Sequence, residues 1–209
     1  MSALRVAACV LVAAVLASCR TVPTRTVVGP GADAPWAQQR AALDKLDRYA
    51  LDGRVAVAAN GQGFSASLRY TQAADRTQFS LEGPLGIGGL RVEAEGGRLE
   101  VATSRGEKLD GPEARAELER RLGFALPLEE LRWWLLGIPA PGESTVNAAD
   151  TGEIRDFTQN GWRVSINSRA PGIGFSLPQR LTAQHIEGPG PGESNRSGAR
   201  IKLLAERWE

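Results

Sequence analysis

The fold class this sequence predicts is mainly β with helices: a strongly curved antiparallel sheet of about eleven strands wrapped around two short helices. Three observations predict it. Apolar and polar residues alternate with a period of two in stretches before residue 104 and after residue 153, as half-buried strands require. Short connections between those stretches imply antiparallel neighbours. Residues 112–137, between the two groups, switch to helical spacing, and helices there would cover the open apolar side of a curved sheet.

Residues 1–18 read as a signal peptide. Arg5 supplies a positive start, and residues 6–16 are an uninterrupted apolar run too short to span a bilayer. The run ends in Leu16-Ala17-Ser18-Cys19, which is similar to the lipobox of bacterial lipoproteins. That likeness implies cleavage before Cys19 and acylation of Cys19. Cys9 leaves with the signal, so no thiol remains for a disulfide or a metal. Several acyl chains anchor firmly, since each buried CH₂ contributes about 0.8 kcal/mol. Arg20 stands where inner-membrane lipoproteins of many bacteria carry Asp, which points to the outer membrane, periplasmic face. Residues 19–35 then form a lipidated N-terminus and flexible tether rich in Pro, Gly and Thr. Residues 36–209 suffice for one domain with a sizeable core.

Residues 36–51 have helical spacing in Leu43, Leu46 and Ala50. Val55 and Val57 open the first strand. Phe64, Ala66, Leu68 and Tyr70 alternate with Ser65, Ser67, Arg69 and Thr71, and Phe79 and Leu81 follow. The next stretch, Glu82-Gly83-Pro84-Leu85-Gly86-Ile87-Gly88-Gly89-Leu90, is a hairpin tip with apolar residues where turns are usually polar. Pro84 fixes one φ and four glycines supply conformations closed to other residues, so the tip either folds Leu85 inward or holds it in solvent. Leu90, Val92 and Ala94, then Leu99 and Val101, continue the meander.

Pro112 starts a helix whose Ala114, Leu118 and Leu122 share a stripe, closed by Gly123. A second helix begins at Pro127, with Leu128, Leu131, Trp134 and Leu135 on one face and Gly137 and Pro139 at its end. Trp133 points away from that face. Residues 154–159 and 162–167 flank Asn160-Gly161, the strongest hairpin signal in the chain, with Trp162, Val164 and Ile166 on one face. Two last strands lie near residues 181–186 and 199–206, separated by a long Gly/Pro-rich loop at 187–198, and the chain ends near Trp208.

Catalysis finds little support. The chain has one His, His185, which reads as a surface or structural residue. Gly63-Phe64-Ser65-Ala66-Ser67 lacks the second Gly of a nucleophile elbow. Zinc would need more His or Cys than exist, and no cofactor is expected. Glu93 with Glu95, and Glu129 with Glu130, read as solvated faces. The glycine-rich tip lacks the Lys of a phosphate loop. With 25 basic against 24 acidic residues, nothing suggests nucleic acid as a partner. A sheet with an apolar concave face needs a filling. The two helices either fill it completely, leaving an ordinary core, or partly, leaving a cavity.

Across nearly its whole length the chain resembles the LolB family. The likeness runs through Leu16-Ala17-Ser18-Cys19, Trp36, Gly53-Arg54-Val55-Ala56-Val57 and Gly83-Pro84-Leu85-Gly86. It continues through Leu122-Gly123-Phe124-Ala125-Leu126-Pro127-Leu128, Leu131-Arg132-Trp133-Trp134-Leu135-Leu136-Gly137-Ile138-Pro139 and Gln159-Asn160-Gly161-Trp162. Leu177-Pro178, Arg200-Ile201-Lys202-Leu203 and Trp208 close it. The resemblance implies an open antiparallel β-barrel with a helical lid over an apolar cavity. It implies a non-catalytic monomer whose partners are a LolA-like periplasmic carrier, acylated lipoprotein cargo and outer-membrane lipid. Leu85 takes the position of the family's membrane-inserting Leu, with Ile87 the second candidate. Phe64, Leu68, Phe79, Leu81, Leu90 and Val92 are candidates for the cavity wall, with Trp162 and Val164. Leu118, Leu122, Leu128, Leu131, Trp134 and Leu135 are candidates for the lid. Two departures stand out: the long 187–198 loop, and Ser165, Ile166 and Asn167 where the family often has aromatics. The alternative is an envelope lipoprotein that acts as an interaction or assembly module without a lipid cavity.

Overall fold

The structure is a computed structural model that describes residues 29–84, 88–186 and 198–209. Among the described residues the strands form one antiparallel sheet, and no pairing joins its two edges. In chain order they are β1 (Arg48–Ala59), β2 (Gln62–Ala73), β3 (Arg76–Glu82), β4 (Leu90–Glu95), β5 (Arg98–Thr103), β6 (Lys108–Asp110), β7 (Thr145–Ala148), β8 (Ile154–Gln159), β9 (Trp162–Gly172), β10 (Phe175–His185) and β11 (Arg200–Trp208). The spatial order is β6-β5-β4-β3-β2-β1-β11-β10-β9-β8-β7. The first and last strands therefore pair in the middle, Val55 opposite Leu203. Among the described residues the helices are α1 (Trp36–Leu43), α2 (Gly111–Leu122) and α3 (Leu131–Leu135). This is the eleven-stranded antiparallel sheet with helices that the alternation predicts, and it agrees with the open barrel that the resemblance implies.

Because every neighbouring pair is antiparallel, the strands define two ends. The turns β1–β2, β3–β4, β8–β9 and β10–β11 leave from one of them, called here the hairpin end. The turns β2–β3, β4–β5 and β9–β10 lie at the other, where the chain also enters β1 and leaves β11. This second end is the terminal end.

Local sequence accounts for most of the elements. Leu51, Val55 and Val57 of β1 are buried while Asp52, Arg54 and Ala56 face outward. Asn60-Gly61, Gly96-Gly97, Asn160-Gly161 and Ile173-Gly174 all hold two consecutive positive φ angles, the requirement of the tight hairpin turn that matches strand twist. In α2 the stripe Ala114, Leu118 and Leu122 is buried, and Gly123 ends the helix at φ 82°.

Several boundaries differ from expectation, for tertiary reasons. The helix read over residues 36–51 stops at Leu43, and residues from Arg48 onward are strand. Arg48 pairs with Ala73, and Ala50 exchanges both backbone hydrogen bonds with Glu209, so sheet pairing overrides a helical pattern of only three residues. The helix read from Pro127 is regular only over Leu131–Leu135, with turns before it. β10 starts well before residue 181 and accommodates Pro178 at a register shift, where no ladder donor is needed. The edge strands β6 and β7 had no individual signal; all four residues of β7 are exposed.

Ala74, at the β2–β3 turn, holds φ 56°. The left-handed region costs a non-glycine residue roughly 1–2 kcal/mol. Ala74→Gly should therefore raise stability by up to about 1 kcal/mol after the added chain entropy of glycine, read as a higher denaturant midpoint with an unchanged slope.

Candidate functional site: an apolar chamber under a latched lid

The inner face of the sheet and the segment after α2 enclose a small chamber. Its floor and walls are Val55 and Val57 of β1, Leu68 and Tyr70 of β2, Phe79 and Leu81 of β3, Leu181 and Ala183 of β10, and Ile201 and Leu203 of β11. These are alternate residues of five strands, the arrangement that a period of two dictates. The roof is Leu122 at the end of α2, then Phe124, Leu126 and Pro127 of the turn, then Leu131, Trp134 and Leu135 of α3. Among the described residues only apolar surface lines the chamber, whose free volume is about 80 Å³.

The polar groups of Tyr70, Gln72 and Thr77 beside the chamber are paired with one another. The Tyr70 hydroxyl donates to Gln72 Oε1 at 2.6 Å, and Thr77 Oγ1 donates to the same oxygen at 2.8 Å. Burial pushes the Tyr70 hydroxyl up to about 12, and burial is also the first cause that raises Tyr49 well above the ordinary phenol range. Both phenols are therefore neutral near pH 7.

The roof is fixed at identifiable points. Trp134 Nε1 donates to Gln159 Oε1 at 2.9 Å, and the same buried amide accepts from Ala140 N and donates to Ala140 O. The Trp134 ring meets Phe157 edge-on at 6.3 Å and lies 6.2 Å from Trp162. Trp162 also contacts Phe124 at 5.4 Å and His185 edge-on at 5.2 Å. Arg132 O accepts the Tyr49 hydroxyl, while the Arg132 guanidinium sits 4.9 Å from the Trp133 ring centre. Its Nη1 and Nη2 reach Ala74 O and Leu46 O at 3.4 and 3.3 Å, and its buried Nε has no partner among the described residues. Trp133 is thus half-buried against a cation.

Arg169 holds the far end of the roof. It bonds Gly137 O, Ile154 O and Ser176 O, pairs with Glu153 at 2.8 Å and lies 4.6 Å from the Trp36 ring. Burial lowers it to about 10, so it stays charged near neutral pH. Gly137 has φ 75° and would place a Cβ 2.8 Å from Pro178 Cγ, so no other residue fits this bend.

Beside the chamber lies a larger, mixed polar and apolar hollow of about 580 Å³. It runs past the β2–β3 and β4–β5 turns to Leu128, Glu129, Glu130, Arg132 and Trp133. Leu126 and Pro127 line both spaces and form the wall between them.

Of the wall and lid candidates, Leu68, Phe79, Leu81, Leu122, Leu131, Trp134 and Leu135 meet at the chamber. Leu90, Val92, Leu118, Trp162 and Val164 are buried in the surrounding core and do not line it. Leu128 lines the larger hollow instead. Phe64 shares its face with the buried β2 residues but lies near the hairpin end and is 39% exposed. Leu85, Ile87 and Cys19 lie outside the described residues, as does most of the 187–198 loop. Phe124 and Leu126 were absent from the candidates because they sit in a turn without periodicity. Val55, Val57, Tyr70, Leu181, Ala183, Ile201 and Leu203 were also absent, although strand alternation alone places them on the inner face.

A family model described as outer membrane lipoprotein LolB matches residues 47–208. A protein of Pseudomonas fluorescens (strain Pf0-1) named outer-membrane lipoprotein LolB is 32% identical, over 80% of this chain and 83% of its own. Its namesake in Stutzerimonas stutzeri (strain A1501) is 33% identical over 82% and 84%, and one in Pseudomonas putida (strain F1) is 34% identical over 80% and 83%. With the family match spanning β1 through β11, and the identity sustained over four-fifths of the sequence, this chain belongs to the LolB family of outer-membrane lipoproteins.

Proposed function

We propose that the chain accepts acylated lipoproteins from a LolA-like periplasmic carrier, holds their acyl chains in the apolar chamber and passes them to the outer membrane, working as a monomer anchored through Cys19. Its family is one of outer-membrane lipoproteins, and the role of lipoprotein receptor is read from that membership. The observation that carries the residue-level reading is a chamber whose lining among the described residues is apolar, roofed by a short segment tied down at a few polar points.

The chamber's volume has a mechanical consequence. At roughly 30 Å³ per small group, about 80 Å³ holds about three carbons. A fatty acyl chain needs several times that, so loading displaces the roof. The roof moves as apolar surface exchanged for apolar surface, because Leu126, Leu131 and Trp134 leave the space that the acyl chain takes. Transfer without a nucleotide then needs only a small difference in fit. About 1.4 kcal/mol biases a step tenfold, which is under two CH₂ groups of burial at roughly 0.8 kcal/mol each. The reading includes no catalytic step.

The test uses the soluble form, with Cys19→Ala, mixed with an acylated lipoprotein held by the carrier. Cargo should move to the receptor. Leu85→Glu in the same background should leave that acceptance unchanged while delivery to outer-membrane vesicles falls at least tenfold, a charge inside the apolar part of the bilayer being costly. Cargo that stays on the carrier would support the assembly-module alternative. Undiminished delivery by the Leu85→Glu form would remove the hairpin from the mechanism.

A further inference from the structure

Residues 29–35 fall within the stretch that composition marks as tether, yet they are bound to the barrel. Gly29 N donates to Ile173 O and Gly31 N donates to Gly174 O at 2.9 Å, both at the β9–β10 turn. The buried side chain of Gln39 in α1 holds the same strap from the other side. Its Nε2 donates to Ala32 O at 2.9 Å and Ala34 O at 2.8 Å, while its Oε1 accepts from Ser176 N at 2.7 Å. Gly29 approaches so closely that an added Cβ would stand 2.4 Å from Gly174 O. The chain thus departs toward its N-terminus from the terminal end of the barrel. The β3–β4 hairpin leaves from the hairpin end, opposite it, as do the exposed Phe64 and Ile186.

We propose that this strap turns the lipid anchor into a leash of set length that orients the receptor: the terminal end rests at the outer membrane, and the hairpin end faces away from it until delivery. The inference rests on the reading above, in which Cys19 carries the lipid and the β3–β4 tip meets the membrane. Ten residue steps separate Cys19 from Gly29, and fully extended chain spans at most roughly 3.6 Å per residue, so the leash reaches about 36 Å. β9 and β10 have eleven residues each, which at about 3.3 Å per residue is also roughly 35 Å from turn to far end. The two lengths nearly match. Lying on its side, the barrel would bring the tip to the surface only sideways; the tip points into the anchoring membrane end-on only when the barrel swings fully over and the leash is close to full stretch. Release of the strap would add seven residues of reach, residues 29–35.

Tether length should therefore govern delivery and leave acceptance alone. In the full lipidated chain on vesicles, deletion of residues 21–26 should lower cargo delivery at least tenfold, since a linker that cannot span two sites gives almost no effective concentration. Cargo uptake from the carrier should be unchanged, which also shows that the variant folds. Gln39→Ala added to the shortened chain frees the strap and should restore delivery to within about threefold of the full-length rate. In the unanchored Cys19→Ala background the same deletion should have no effect. Delivery by the shortened anchored chain at the full-length rate would overturn the leash, and so would a failure of Gln39→Ala to restore it. Failure of the unshortened chain to take up cargo at all would instead sink the receptor reading.

Discussion

Ala183→Phe should weaken cargo acceptance by about fifty-fold while leaving a folded receptor. Ala183 is 4% exposed, lines the chamber floor from β10 and stands opposite Ile201 of β11 and Val164 of β9. A ring at this position rises into the free space that the small alanine leaves. Overpacking a core costs typically about 1–3 kcal/mol, and the existing cavity of about 80 Å³ absorbs part of it. The loss on the cargo side is larger. If the ring displaces about three methylenes of acyl chain, roughly 2.4 kcal/mol of burial disappears at about 0.8 kcal/mol each. That corresponds to the fifty-fold drop, measured as the carrier-to-receptor partition of a labelled lipoprotein. Val146→Phe on the exposed edge strand β7 provides the control and should change nothing. An unchanged partition with Ala183→Phe would mean that acyl chains go elsewhere.

The second large effect has opposite signs in two measurements. Gln159→Leu removes the amide that accepts from Trp134 Nε1 and Ala140 N and donates to Ala140 O. Each buried polar group left without a partner costs about 1–3 kcal/mol, so the empty receptor should lose on the order of 3 kcal/mol. For a domain of this size that lowers the melting midpoint by roughly 10 °C. Cargo binding should nevertheless tighten, because a roof displaced by an acyl chain has already given up the Trp134 bond. Every 1.4 kcal/mol of closure energy removed raises the apparent affinity about tenfold, so a gain of at least tenfold, with slower release to vesicles, is expected. A variant that loses stability and cargo affinity together would show that Trp134 and Gln159 stay joined in the loaded state.

How much of this was legible in the sequence follows from the range of the interactions. Asn160-Gly161 announces its hairpin because turn chemistry is decided by two adjacent residues, and both hold the positive φ expected. The α2 stripe was legible for the same reason, its period lying within twelve residues. The ends of α1 and β1 were not, because they depend on β11, more than 140 residues later in the chain. Phe64 shows the limit of alternation. It has the right parity for the inner face, but parity does not say where along a strand the cover ends. Phe124 and Leu126 were missed because a turn residue that roofs a chamber carries no period. The Gln159 bond was invisible, since nothing in a single sequence joins a strand-end amide to a tryptophan twenty-five residues earlier. The strap shows the reverse failure. Composition alone assigns residues 29–35 to a tether, and only the pairing with Gln39 and the β9–β10 turn fixes them.

The central claim is that acyl chains enter the space between the sheet and its roof. A lipoprotein whose acyl chains carry a photoactivatable group, transferred to the receptor and illuminated, tests it most directly by mass spectrometry of the labelled peptides. The account predicts adducts on inward residues such as Leu68, Phe79, Leu181 and Leu203, and on Leu126 or Leu131 of the displaced roof. Adducts confined to outward positions such as Arg69, Thr182 or Lys202 would contradict it.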